Sequence, residues 1–171
     1  MLLIDARRPA RVSAGELVPL ASQDRLLWDA ALIAEGHALV RVRLASGVAP
    51  GRYQLLAAIN AVHTSSPSAL DTDWSQIVAL YEQLVRLDPS PVVALNRAIA
   101  VGELDGADVA LALVDGLASL DGYHPYHATR AELLRRVSRD SESRDAYDRA
   151  IELAGNTAES AYLRRRRDEL G

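Results

Sequence analysis

The fold is decided by residues 51–103, which read GRYQLLAAINAVHTSSPSALDTDWSQIVALYEQLVRLDPSPVVALNRAIAVGE. The middle of this stretch carries apolar residues at the i, i+3, i+4, i+7 spacing of a helix with one buried face. They are Trp74, Ile77, Val78, Tyr81, Leu84 and Val85. Pro89 then ends that helix, because proline cannot continue a helix and disfavours helical backbone at the residue before it. Residues 54–59 align with residues 94–99, so we predict a repeated helix pair, which is typical of an α-solenoid.

The repeat continues with small residues at matched positions further along the chain. Ala131 follows Ala98 by 33 residues (131 − 98), and Ser143 follows Ala110 by 33 residues (143 − 110). Larger packing residues follow them at Val114, Leu117 and Tyr147, with small Ala150 after these. Small side chains at such positions let paired helices approach closely, as in tetratricopeptide repeats. We therefore predict an all-α, tetratricopeptide-like helical-repeat superhelix (an α-solenoid) of about eight helices.

Helix start and stop signals place these eight helices along the chain. We predict helices over residues 23–44, 53–64, 73–87, 92–104, 107–120, 123–137, 142–154 and 157–170. The candidate N-caps are Ser22 or Asp24 for the first helix, Asp71 or Thr72 for the third and Thr157 for the last. Ser90 and Pro91 start the fourth, because a proline in the first turn costs no hydrogen bond.

The domain organisation follows from the ends of this pattern. Residues 1–22 are predicted to be a linker, and residues 23–171 a single helical domain. Met1–Ala6 begins with apolar residues and has no N-cap before them, so we expect the tail of a helix that starts upstream of this chain. A frayed N-terminus is the alternative.

Composition narrows the classes of function. The 171 residues are 49% hydrophobic and 25% charged, with a net charge of −4 and no cysteine. These values fit one globular domain and do not favour general nucleic-acid binding. The lack of cysteine excludes disulfides, cysteine–zinc sites and thiol catalysis. No apolar run is as long as the roughly 20 residues that a membrane helix needs, so no membrane contact is expected.

Five motifs together resemble a known family. They are DARRPAR at 5–11, SQDRLLWD at 22–29, GRYQLLAAINAVH at 51–63, TDW at 72–74 and PSPVVALNRAIAV at 89–101. The sequence resembles the C-terminal, tetratricopeptide-like extension of a subgroup of extracytoplasmic-function (ECF) RNA polymerase sigma factors, of the sigma-70 family. The resemblance covers nearly the whole chain.

The resemblance implies a bacterial, cytoplasmic transcription-initiation factor in which this domain modulates the sigma core. The implied partners are sigma regions 2 and 4 of the parent protein, RNA polymerase and possible accessory proteins. The promoter-reading and polymerase-binding sigma regions are not in this chain, so no direct DNA contact is expected from it. The alternative is a stand-alone scaffold that binds a peptide or a small molecule in a groove.

One candidate interaction surface lies around Asp24, Arg25, Trp28 and Asp29. Arg25 and Asp29 are spaced i, i+4, which would allow an arginine–carboxylate pair on a helix. Tryptophan and arginine are common energetic centres of protein interfaces. The alternative interpretation is a capped helix start that is anchored by a buried tryptophan.

A second candidate surface is the basic run of Arg7, Arg8 and Arg11. These residues could hold the linker to an upstream sigma region or to acidic patches of this domain, and the alternative is a solvated basic run. A phosphate-binding role is a further option, although arginines without neighbouring aromatic residues are a weak signal for it.

A groove is expected along the first helices of the repeated pairs, where solenoids present their concave surface. Its candidate residues are Arg52, Tyr53, Asn60, His63, Trp74, Asn96 and Arg97. Arg52 and Arg97 could each bind a carboxylate through two parallel hydrogen bonds. Asn96 is interpreted first as structural, bonding backbone between helices. A small-ligand sensor near Tyr53, Trp74 and Arg97 is a third hypothesis.

Catalysis and cofactor binding are not expected. No glycine-rich phosphate loop, Gly-x-Ser-x-Gly elbow or His-Glu-x-x-His pair occurs in the sequence. His124 and His127 are spaced i, i+3, but a metal site would need a third ligand, for which Glu132 is the nearest option. We therefore interpret both histidines as packing or capping residues.

Overall fold

The computed structural model describes residues 1–13 and 16–170, so Ala14, Gly15 and Gly171 lie outside the described residues. Nine α-helices occur in the described part of the chain. They are α1 (Leu2–Asp5), α2 (Ala30–Ala45), α3 (Arg52–Ser65), α4 (Trp74–Leu87), α5 (Pro91–Leu104), α6 (Ala107–Asp115), α7 (His124–Arg136), α8 (Asp140–Leu153) and α9 (Thr157–Asp168). The predicted all-α repeat is confirmed, and the eight predicted helices correspond to α2 through α9.

The start of the first predicted helix was wrong. Helix α2 begins at Ala30, because the Asp29 side chain accepts hydrogen bonds from the backbone N–H groups of Ala31 and Leu32 and so caps the helix there. The residues before it form two short 3-10 turns, Leu20–Ser22 and Arg25–Leu27. Asp24 caps the second of these turns.

Other boundaries differ by smaller amounts. Asp73 caps α4 by accepting from the Gln76 N–H, and Asn156 caps α9 by accepting from the Glu159 N–H. The predicted caps were therefore one or two residues off. Helix α6 ends five residues early, and a 3-10 turn at Ala118–Leu120 follows it. Ser90 caps α5 and Pro91 occupies its first turn, as predicted.

Residues 12–17 contain two very short strands. Strand β1 (Val12–Ser13) pairs antiparallel with β2 (Glu16–Leu17), with Val12 opposite Leu17. Ala14 and Gly15, which stand between these strands in the sequence, lie outside the described residues.

The chain divides into two compact units, Met1–Pro89 and Ser90–Gly171. In the first unit, α1 packs on α2 and α3, and α3 packs on α4. Leu3 is only 4% exposed, and its Cδ2 lies 2.5 Å from the place where a Cβ would stand at Gly36. Glycine inside α2 therefore allows the close approach of α1.

The second unit pairs α5 with α6 and α7 with α8, and α9 packs on α8. The predicted small positions are all buried, with Ala110, Ala131, Ser143 and Ala150 at 0% exposure and Ala98 at 1%. The Ser143 hydroxyl donates a 2.8 Å hydrogen bond to the Ala131 carbonyl, which ties α8 to α7. These positions confirm the 33-residue register of the repeat.

The predicted division into a linker over residues 1–22 and one domain over residues 23–171 stays a prediction. Within the first unit, part of the expected linker is well packed, since Ala6 is fully buried and its carbonyl accepts a 2.9 Å hydrogen bond from the Asp29 N–H. Among the described residues, none of the helices is both long enough and apolar enough to cross a bilayer.

Candidate functional site

Three arginines come together in the first unit. Nη2 of Arg7 donates a 2.9 Å hydrogen bond to Oδ1 of Asn60 on α3, and Nη2 of Arg11 donates to the carbonyl of Ile4 at the same distance. Arg25 is electrostatically coupled to Arg7, as is Arg11. We call Arg7, Arg11 and Arg25, together with the Trp28 and His63 side chains beside them, the arginine cluster.

Arg25 anchors the turn that precedes α2. Its Nη1 donates to the carbonyls of His63 and Ser66 at 2.8 and 2.7 Å, which satisfies the C-terminal end of α3. Its guanidinium lies 4.5 Å from the centre of the Trp28 ring, a cation–π distance. The predicted Arg25–Asp29 pair is wrong, because Asp29 caps α2 and the guanidinium points to α3 instead.

His63 connects this cluster to α4. Its ring packs edge-on against Trp74, with centroids 5.4 Å apart. Burial, together with the positive charges of Arg7 and Arg25, lowers the pKa of His63 from 6.5 to about 4. His63 is therefore neutral near pH 7 and adds no fourth positive charge.

The cluster is a concentration of positive charge without a paired carboxylate. Burial lowers the pKa of Arg7, and Arg11 and Arg25 add to this shift by repulsion. Among the described residues, no ion pair is formed by any of the three arginines, whose side-chain partners are an amide oxygen and backbone carbonyls. The negative charge of Asp71 partly offsets the effect of burial, which lowers the pKa of Arg25, and the Asp71 carboxylate accepts from the Ser68 hydroxyl.

Trp28 is 7% exposed, so its indole is not available to a partner. The structure supports the anchoring interpretation of this residue over the contact-surface one. The exposed apolar side chains of the same segment are Leu26 at 93% and Leu27 at 53%. We call these two residues the leucine turn. Both leucines belong to the SQDRLLWD motif and lie within the helix that was predicted over residues 23–44.

A separate cavity of about 350 Å³ lies in the second unit, beside α5, α7 and α9. Its lining combines apolar and charged side chains, namely Ile99, Glu103, His124, Pro125, Ala128, Thr129, Glu132, Leu133, Arg136, Glu159, Tyr162 and Leu163. Arg136 pairs with Glu103 at 2.6 Å at its edge. The cavity lies along α5 and α7, the first helices of the two pairs in this unit, and along α9.

None of the seven predicted groove residues lines that cavity. Asn60, His63 and Trp74 belong instead to the surroundings of the arginine cluster, because the loop 66–73 returns α4 against the end of α3. Asn96 donates to the Val92 carbonyl of its own helix, so the predicted bond between helices is wrong. Arg97 is half-buried on α5.

The remaining predicted residues have local partners. Arg8 is exposed and forms a 3.4 Å pair with Asp5. Arg52 pairs with Asp88 at 2.9 Å and lies 5.8 Å from the ring of Tyr53, which is 75% exposed. Arg52 thus already has a carboxylate partner within its own unit.

His124 and His127 take different partners. Nε2 of His124 lies 3.5 Å from Glu159, whereas Nε2 of His127 lies 2.7 Å from the backbone carbonyl of Asp121. No group of three potential metal ligands occurs in the described part of the chain. Glu132, the suggested third ligand, accepts from Arg135, Arg166 and the Tyr147 hydroxyl.

Comparison with known proteins gives two sequence matches. A family model described as a family of unknown function, DUF6596, matches residues 1–44. An uncharacterized protein, R00370 of Rhizobium meliloti strain 1021, is 45% identical over 172 residues. That alignment covers 99% of this chain and 40% of the relative, so the chain spans about two fifths of the relative's length.

A solved structure supports the fold. The NMR structure of the first TPR domain of human RPAP3 matches with a TM-score of 0.56 and 21% identity, covering 70% of this chain and 91% of that domain. The likeness shows a tetratricopeptide-like helical arrangement in this chain.

Proposed function

We propose that this chain is the C-terminal regulatory domain of an ECF RNA polymerase sigma factor, a bacterial cytoplasmic protein, and that it acts by binding proteins and not by catalysis. One observation carries the proposal. Four of the five motifs that resemble this sigma subgroup supply the arginine cluster and the side chains that contact it. Arg7 and Arg11 come from the first motif, Arg25 and Trp28 from the second, Asn60 and His63 from the third, and Trp74 from the fourth.

The family match over residues 1–44 and the longer relative fit this proposal. The matched residues include the first two motifs, and the relative has room for further domains outside the aligned part. In a sigma factor, those domains would be regions 2 and 4, the partners that the resemblance implies.

The leucine turn is the docking surface that we assign to the sigma core. Its backbone is fixed, because Asp24 caps it, Arg25 anchors it to α3 and Trp28 is buried behind it. Two exposed leucines on such a rigid turn offer an apolar contact with little loss of conformational entropy on binding. Asp24 and Asp29 flank the leucines and would favour a basic rim on the partner.

A second candidate is a scaffold that holds a peptide in the cavity of the second unit. The cavity volume of about 350 Å³ and its mixed lining favour it, since a peptide could fill the apolar floor while its polar groups meet Glu103 and Arg136. Partners other than the sigma core would then occupy the domain.

Promoter-specific transcription tests the proposal. We would compare three versions of the sigma factor in vitro with purified polymerase. They are the full protein, a version that lacks this whole chain, and a Leu26→Ser/Leu27→Ser version. We expect the truncated and the double-serine versions to share an altered output. A Leu87→Ser version is the control, since Leu87 is 55% exposed on a different surface, the end of α4. Equal output from all four versions would contradict the proposal.

A further inference from the structure

We propose that the arginine cluster is a binding site for a phosphate-type oxyanion, supplied either as inorganic phosphate or as a phosphomonoester. This inference concerns the first unit alone and does not depend on the sigma-factor proposal. Three independent features of the cluster lead to it.

The first feature is uncompensated charge. Arg7, Arg11 and Arg25 are partly buried and donate to neutral oxygens of Asn60, Ile4, His63 and Ser66. Asp71 acts on Arg25 through its charge, but among the described residues no carboxylate pairs with any of the three arginines. Placing cations together in a partly buried site without such a pair is unfavourable. The whole chain has a net charge of −4, so the cluster is a local positive region in an acidic domain and would attract an anion.

The second feature is a pair of buried donors without acceptors. Nε of Arg7 and Nε1 of Trp28 are both inaccessible to solvent and have no hydrogen-bond partner among the described residues. Trp28 as a whole is 93% buried, being 7% exposed. Buried donors in native proteins are nearly always satisfied, so an acceptor is missing from this region. The cluster therefore has two donors without an acceptor and no paired carboxylate, and an oxyanion would supply both an acceptor and a negative charge.

The third feature is the type of donor. A guanidinium presents five N–H groups in a fixed planar array that matches phosphate oxygens, and arginine is preferred where planar, two-bond recognition of phosphate occurs. Three arginines favour a dianion over a monocarboxylate. A buried water could satisfy the two unpaired donors, but it would leave the charge uncompensated.

Tryptophan fluorescence reports directly on this site. The chain has two tryptophans: Trp28 is part of the cluster, and Trp74 packs against His63. The purified chain would be titrated with inorganic phosphate, with a phosphomonoester such as phosphoserine, and with acetate, all at constant ionic strength set by chloride. We expect a saturable change with phosphate or phosphoserine and a rise in thermal stability with the same ligand. Whichever of the two ligands, inorganic phosphate or phosphoserine, gives the stronger response identifies the source of the oxyanion.

Arg7→Gln and Arg8→Gln form a matched pair of variants in the same motif. Arg7→Gln removes a cluster cation and should weaken phosphate binding about tenfold or more, the scale of a charged hydrogen bond. Arg8→Gln should bind as the unaltered chain does, because Arg8 is exposed and pairs with Asp5. Arg11→Gln serves as the second cluster variant if Arg7→Gln does not fold.

Three results would overturn the proposal. One is a lack of any saturable change in the unaltered chain with either phosphate ligand, which would leave buried water as the missing acceptor. Another is an equal response to acetate or chloride, which would indicate general screening. The third is an equal loss of binding in Arg8→Gln and Arg7→Gln, which would assign the effect to the basic run as a whole.

Discussion

Arg7 and Asn60 are 53 positions apart in the sequence, and a 2.9 Å hydrogen bond joins Nη2 of the arginine to Oδ1 of the asparagine. The amide nitrogen of Asn60 donates in turn to the Leu56 carbonyl on its own helix, so the acceptor is held in place. This bond fixes the N-terminal segment on α3. Arg7 is thus packed against α3 within the first unit.

Trp28 should be a major source of stability in that unit. Trp28→Ala removes a large buried side chain and its contact with Arg25, and we expect it to lower the free energy of unfolding by about 3–5 kcal/mol. Leu26→Ala is the matched control two residues away, expected within about 0.5 kcal/mol of the unaltered chain because Leu26 is 93% exposed. Urea denaturation followed by circular dichroism measures both. Similar losses in the two variants would contradict the buried anchoring role.

Gly102 should be required by the packing of α5 on α6. A Cβ at this position would stand 2.9 Å from the Cβ of Ala110 and 3.4 Å from Cδ2 of Leu133. The clash should cost about 1–3 kcal/mol, against a gain of about 1 kcal/mol from the better helix propensity of alanine. We therefore expect Gly102→Ala to lower the melting temperature. Gly155→Ala is the control, since no neighbouring atom lies within 4 Å of its added Cβ. A melting temperature that falls in Gly155→Ala but not in Gly102→Ala would contradict the argument.

His63 should make stability depend on pH. Its pKa is lowered from 6.5 to about 4 by burial and by Arg7 and Arg25, so the unfolded chain binds a proton at this residue more readily than the folded chain does. The stabilising contribution is fully present above pH 6.5, is lost as the pH falls towards 4, and does not change further below that. Unfolding free energies measured across this range should fall by less in His63→Gln than in the unaltered chain. Parallel curves for the two proteins would contradict the assignment.

Glu132 should hold α9 in the second unit. Burial raises the pKa of Glu132, but hydrogen bonds and charge from Arg135 and Arg166 outweigh this and hold the pKa below its usual range. Because Arg166 lies on α9, Glu132→Gln should speed amide hydrogen exchange in that helix. Glu142→Gln is the control, since its pair with Arg139 is a surface contact at the start of α8 that contributes little. Equal exchange rates in α9 for both variants would contradict this role.

The repeat was predictable because its signals are local. Helix pairs are indicated by small residues at a constant spacing, such as Ala98 and Ala131, and by prolines at helix boundaries. These signals do not depend on contacts with the rest of the fold. The buried positions of Ser143 and Tyr147 followed from the same register. The start of α2 was not predictable in this way, because Ser22, Asp24 and Asp29 are all good caps and the choice depends on the distant contact of Arg25 with the end of α3.

The assembly of the arginine cluster could not be predicted from the periodicity of the sequence. The sequence indicated Arg7, Arg25, Trp28, Asn60 and His63 as separate surface and groove candidates. Their assembly depends on contacts across 38 to 53 positions, which no local pattern encodes. The exposure of the leucine turn has the same origin, since a 3-10 turn with an exposed Leu26 occupies residues that the sequence predicted as part of a helix.

The most direct test of the proposed regulatory role is the heat of binding between this chain and the separately expressed sigma regions 2 and 4 of the gene that encodes it. We predict saturable binding that becomes about tenfold weaker or more in the Leu26→Ser/Leu27→Ser variant and is unchanged in Leu87→Ser. That result would establish an intramolecular regulator with its docking surface at the leucine turn. The absence of saturable heat with the unaltered, folded chain would contradict the proposal and move the partner outside the sigma core.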